Sequence, residues 1–333
     1  MTRLQALQRA ADCLQQRHAW LAFPLAAWKK FSDDRAGLLA ALIAYYAFIA
    51  LFPLFLALVT ILDLVLAHDP ALRERVVSSA LSNYPVFAPE LKSNVHALGS
   101  TGLALAIGLI GTLFGARGLA AATQNALNTT WAIPRDQRPD WPHSLLRSIG
   151  LIVLVGPGEV ATSLLAGLAA GGGDILPGAG ARTVAVAASL VLDSLLFWLA
   201  FRLATASGVR TRDLCLSAVI AAVSWQVLQV VGGYLIAHQL ARNSALYGVF
   251  ALVLGLLVWL FLQAQISMYA VEVNVVLVHR LWPRSVIRSR FVPSGRLTDA
   301  DLRAYRMYAR AERRMPDLAV RLETPEMPAE QDP

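Results

Sequence analysis

Six apolar stretches, at about 38–62, 102–122, 145–170, 183–204, 213–236 and 247–271, decide what this chain can fold into. Each is long enough to cross a bilayer, since roughly 20 apolar residues rising 1.5 Å apiece match the hydrocarbon thickness. Backbone N–H and C=O groups find no water there, so such segments must be helical. The pattern predicts an all-α polytopic membrane protein with six transmembrane helices and short amphipathic helices outside them. Composition agrees: of 333 residues, 56% are hydrophobic and 15% charged, which excludes a soluble globular domain. Residues 1–35 then read as an interfacial amphipathic segment and 36–279 as the membrane domain with an outer loop at 68–98. Residues 280–333 read as an Arg-rich tail, disordered from about 323.

Basic residues orient the spans. Arg3, Arg9, Arg17, Lys29, Lys30 and Arg35 precede the first, and eleven arginines lie between Arg280 and Arg321. Arg135, Arg138, Arg210 and Arg212 fall on the same side, whereas the other side has few. The positive-inside bias predicts an inner-membrane, multi-pass protein with both termini cytoplasmic. The net charge of +7 is explained by topogenic arginines beside anionic headgroups, so membrane lipids are the expected partner and nucleic acid is not. Cys13 and Cys215 have no metal spacing around them, and neither a metal nor a cofactor is expected.

The third stretch carries Gly156-Pro157-Gly158-Glu159 at its centre. Proline removes a backbone donor and glycine loosens the turn, which predicts a helix break or kink there, with a second kink at Pro53. Glu159 needs a partner or water, because an ionisable group in hydrocarbon is costly. Asp193 in the fourth stretch falls at similar depth, as do Gln226, Gln229 and Gln263. Together they are a candidate pocket or substrate path; the alternative is a hydrogen-bonded knot between helices. A second, shallower polar cluster comprises Arg117, Asn125, Asn128, Arg147, Arg202, Glu272 and Asn274. Its arginines suit a lipid phosphate, and equally suit anchors paired with Glu272.

Gly108, Gly111, Gly115 and Gly118 recur at three and four residues, which puts them on one helical face. Such a stripe admits another backbone closely, within the protomer or across a homodimer. Tyr45 and Tyr46 are expected in the packed core, and Thr298 to Asp301 should cap a helix running to about Arg314.

The run from Ala41 to Pro53, ALIAYYAFIALFP, resembles the opening membrane motif of the YihY/BrkB family of bacterial inner-membrane proteins. Gly108-Leu109-Ile110-Gly111, then Ala126-Leu127-Asn128 and Trp131, and the stretch from Gln265 to Asn274 are similar to that family in the same order. The resemblance implies six spans and links to envelope integrity and serum resistance, with lipid or lipopolysaccharide export suggested. Members once carried the label ribonuclease BN, now regarded as mistaken, and no catalytic residues come with the family. The residues agree. His18, His68, His96, His143, His238 and His279 are scattered, without the clustered ligands a metal-dependent nuclease needs. The chain is therefore read as a non-enzyme: a transporter or flippase of a lipid or envelope precursor, or a scaffold for envelope-maintenance partners.

Overall fold

The computed structural model describes residues 18–65, 102–171, 179–235, 241–285 and 297–315, and among these every regular element is helical. The expected outer loop at 68–98, the segment before residue 18 and the tail beyond 315 lie outside the described residues. Among the described residues the α-helices are, in order, α1 (Ala19–Asp33), α2 (Ala36–Val65), α3 (Gly102–Thr130), α4 (Trp141–Gly171), α5 (Ala179–Ala204), α6 (Cys215–Leu235), α7 (Ala241–Val278) and α8 (Asp299–Ala311). Each of the six apolar stretches lies almost wholly inside one of the helices α2 to α7. Three segments, Thr183–Ala204, Thr211–Gly232 and Val253–Val278, have the length and apolarity to cross a membrane. A fourth span results if α1 and the first half of α2 count as one bent unit.

Helices α2 to α7 pack in chain order, and α7 returns to α2, so the six close a ring. The most extensive packing is between α2 and α3. Glycine allows it. A Cβ added at Gly115 would come within 2.7 Å of the Ala50 Cα, and one at Gly118 within 2.4 Å of the Tyr46 ring. The same device recurs where Gly158 meets Leu196 on α5 and where Gly232 meets the Trp259 ring on α7. Small side chains thus set the interaxial distances, as expected where lipid gives no hydrophobic drive to helix association.

The chain is not broken where proline suggested it would be. Helix α4 runs unbroken through Gly156, Pro157 and Gly158, and α2 runs unbroken through Pro53. Gly158 serves close packing instead, while a Cβ at Gly156 would meet nothing within 4 Å. The sharp bend lies elsewhere: α1 and α2 diverge by 62° across Asp34 and Arg35. Arg35 takes a left-handed conformation with φ 53°, as do Ala132 after α3 and Arg280 after α7, both with φ 50°. After α3 the Ile133 N–H reaches the Asn128 carbonyl at 2.9 Å, and after α7 the Leu281 N–H reaches Val276 at 3.0 Å. Both are helix ends closed by a left-handed residue, a position where glycine is usual and where other residues need support from their surroundings.

That support comes from a dense core at this end of the ring, which carries the arginine-rich connections and is called here the basic end. Leu127, Trp131, Ile133, Phe201, Leu214, Val271 and Val275 are buried together, and Phe31 stacks on Tyr269 with ring centroids 3.8 Å apart. Helix α8 joins it. Ala300 and Ala304 are buried, and Ala304 packs with Ala26, Ala27, Val276 and Leu281. The Thr298–Asp301 capping box starts α8 as the sequence indicates, but the helix is docked rather than simply solvated. Its far end reaches the connection after α3, where Arg313 pairs with Asp136 at 2.8 Å. Residues 299–311 of the expected tail therefore lie across the basic end like a strap.

Candidate functional site

Helices α4, α5 and α6 bring three of the expected polar residues together. The Gln226 amide donates to the Asp193 carboxylate at 2.7 Å and lies 3.5 Å from the Ser189 hydroxyl. Thr162 is within hydrogen-bonding reach of the same carboxylate, and the Asp193 charge acts on Glu159, one turn before Thr162 on α4. Asp193 is only 5% exposed, whereas Glu159 is half-buried. Among the described residues the partners of Asp193 are an amide, a hydroxyl and another acid. Acceptors and neutral donors of this kind are chemically suited to a proton or to a cationic or hydroxyl-bearing group.

Gln229 lies about one turn beyond Gln226 on α6, and Gln263 comes from α7. The contact of Gly232 with Trp259 fixes the register between α6 and α7, and antiparallel counting from it sets Gln229 and Gln263 at about the same height. Gln263 is 8% exposed, and its amide nitrogen has no hydrogen-bond partner.

The shallower cluster divides rather than converges. Glu272 is paired with Lys30, not with an arginine. Arg117 lies over the Trp141 ring, its guanidinium carbon 5.8 Å from the centroid. Arg147 donates to the Thr205 carbonyl at 3.0 Å and to the Ser207 hydroxyl at 3.3 Å, and Arg202 donates to the Thr211 hydroxyl at 3.1 Å. The Asn128 side-chain oxygen Oδ1 accepts from the Ala206 N–H at 2.9 Å, Asn274 donates to the Asp213 carbonyl, and the Asn125 Oδ1 accepts from Arg138 at 3.2 Å. Each asparagine holds a helix end or its neighbouring turn. The expected pairing of these arginines with Glu272 is corrected by the structure, because Lys30 already occupies that carboxylate.

The glycine stripe is partly spent inside the protomer, since Gly115 and Gly118 face α2. Gly111 is half-buried, and the surroundings of Gly108 lie outside what is described. Tyr45 departs from its expected core position: it is 53% exposed, and only Tyr46 packs inward against Gly118.

The largest ionic assembly was not foreseen. Lys30, with a fully buried side chain, donates to Asp34, to the Thr130 carbonyl at 2.9 Å and lies 3.2 Å from Glu272. Two ammonium protons thus go to Asp34 and Thr130, and Glu272 adds an ion pair. Beside it Asp301, also fully buried, accepts from Lys29 at 3.2 Å, Arg284 at 3.1 Å, the Ser285 N–H at 2.9 Å and the Thr298 hydroxyl at 2.9 Å. Arg284 also reaches Asp33 at 2.9 Å. Burial alone would raise the Asp301 pKa, but the Ser285 N–H, Lys29, Thr298 and Arg284 outweigh it and hold the carboxyl below its usual range. The only local hints in the sequence were the four-residue spacings Lys29–Asp33 and Lys30–Asp34 and the capping acid Asp301. The partners are too far apart in the chain to be paired by eye.

No curated protein and no solved structure matches the sequence. A family model described as "Virulence factor BrkB" matches residues 27–293. That range takes in the second half of α1, α2 to α7 and the buried Arg284 and Ser285, and stops just short of α8. A match over most of the chain, on an all-helical protein with membrane-spanning segments, places it: the chain belongs to the BrkB family.

Proposed function

We propose that this protein moves a lipid or envelope precursor across the bacterial inner membrane, past a polar site formed by Glu159, Asp193 and Gln226. The observation that carries the reading is the 2.7 Å bond between Gln226 and Asp193, with Glu159 beside it, across three helices of the ring. Polar and ionisable groups are expensive at such depth, and they mark substrate or proton paths more often than packing. Six spans with both termini cytoplasmic fit the six apolar stretches, their six helices and the arginines gathered at one end. The membership of the BrkB family supports a membrane-associated role linked to virulence or the envelope.

The test is movement of fluorescent phospholipid across proteoliposomes, with and without a pH gradient, for the protein and for Glu159→Gln. Movement that disappears in the folded variant supports the path; equal movement in both rejects it. A second reading, a membrane scaffold for envelope-maintenance partners, is favoured by the ion-bonded basic end and by Arg303, Arg306 and Arg310 exposed on α8. It requires loss of function when residues 280–333 are deleted, with Glu159→Gln silent.

A further inference from the structure

Arg147, near the start of α4, and Arg202, in the last turn of α5, are neighbours whose charges repel. Among the described residues neither has a carboxylate within ion-pair distance. Arg284, Arg313, Lys29 and Lys30, by contrast, all meet acids. Arg147 spends two nitrogens on the Thr205 carbonyl and the Ser207 hydroxyl, but Arg202 spends only its Nε, on Thr211. The two terminal nitrogens of Arg202 remain uncommitted beside a second guanidinium. Two adjacent cations call for an anion, and a planar guanidinium fits phosphate oxygens best.

The surroundings say where that anion comes from. Leu146 and Ile149, flanking Arg147, are 66% and 49% exposed, and Leu195 on α5 is 48% exposed. Trp141, at the start of α4, is 68% exposed, the position of a tryptophan at headgroup level. The arginine pair thus sits at the rim of an apolar, acyl-facing surface. We infer that Arg147 and Arg202, with the Ser207 hydroxyl, bind the phosphate of an anionic lipid headgroup at the basic end of the bundle. This site is separate from the Glu159 triad and does not depend on transport.

The test is lipid retention by the full chain, released from nanodiscs containing equal phosphatidylglycerol and phosphatidylcholine and weighed by native mass spectrometry. Arg202→Gln is the primary variant, because that side chain makes a single hydrogen bond; Arg147→Gln/Arg202→Gln is the stronger one. Arg303→Gln/Arg306→Gln, on exposed α8, removes equal charge elsewhere. Retained phosphatidylglycerol should fall about tenfold in Arg202→Gln, as for loss of a charged hydrogen bond. It should fall further in the double variant and stay unchanged in the α8 control. Equal loss in the α8 control would reduce the effect to net charge and overturn the site. So would undiminished retention in a folded Arg202→Gln, or phosphatidylcholine held as well as phosphatidylglycerol. Displacement of the lipid by an equal concentration of inorganic phosphate would assign the pair to a soluble anion instead.

Discussion

At the basic end, Lys30 lies between Asp34 and Glu272 with a backbone carbonyl completing its shell, and Asp301 is met by Lys29, Arg284, an N–H and a hydroxyl. Further along the same ring, Asp193 is met by an amide, hydroxyls and the field of a second acid. Both regions bury carboxyl groups. In the first, three cations (Lys29, Lys30, Arg284) stand against four anions (Asp33, Asp34, Glu272, Asp301), so charge is nearly balanced within the assembly. In the second, Asp193 has no cation among its partners. A balanced buried network serves to hold elements in one geometry, because removing either partner strands the other. An acid held by neutral groups can change its protonation or engage a passing group without unfolding the helices around it. The difference separates where this protein is fastened from where it can work.

The sharpest way to break that distinction is Lys30→Met, which strands two buried carboxylates. It should cost about 3–5 kcal/mol of stability, the range seen when one member of a buried pair is removed, and a fall in the thermal unfolding midpoint checks it. A silent Lys30→Met would mean that the basic end is not a fastening. Asp301→Ala comes next, at about 1.5–3 kcal/mol for lost charged hydrogen bonds, and should release α8. Release can be read as a longer distance between spin labels at Arg306→Cys and Leu38→Cys. Acid should do the same. The folded pKa of Asp301 is lowered, so its contribution is complete above the unfolded value near pH 4 and lost as pH falls through the folded one.

Gly115→Ala tests the ring itself. Its added methyl meets the α2 backbone, which cannot move aside, so about 1–3 kcal/mol should be lost. Gly156→Ala, facing open space in a continuous helix, should be neutral or stabilising by about 0.4–1 kcal/mol. Smallest of all in stability is Asp193→Asn, near the average of about 0.6 kcal/mol for hydrogen bonds between membrane helices. If the mid-span site works as proposed, this variant abolishes lipid movement while unfolding almost normally. A large loss of stability would move Asp193 into the same class as Lys30.

Local pattern was legible in the sequence, and distant pairing was not. The apolar stretches could be read because length and hydropathy are properties of a short window, and each falls in one helix. The cap on α8 was equally local, needing only Thr298 and Asp301 three residues apart. Glu159, Asp193 and Gln226 could be grouped because depth follows from position along a span. Pro157 points to a break or a kink; the helix continues through it without a break, and Gly158 fits against Leu196. Pairing of Glu272 with arginines is one of the two readings that a shared side of the membrane allows. Its real partner, Lys30, reaches it only through the bend at Asp34 and Arg35, which no periodicity signals.

The strap formed by α8 has a consequence for the order in which the protein can be made. Lys29 meets Asp301 across 272 residues of sequence, so the first helix described here is completed by the last. At about 5–20 residues per second, synthesis leaves Lys29 waiting roughly a quarter of a minute to a minute for its carboxylate. During that interval α1 lacks its bond to α8 and is held by its link to α2, with Trp20 and Trp28 exposed on it. A nascent chain arrested before residue 299 should therefore lack the strap across the basic end while keeping the residues of the Lys30 assembly.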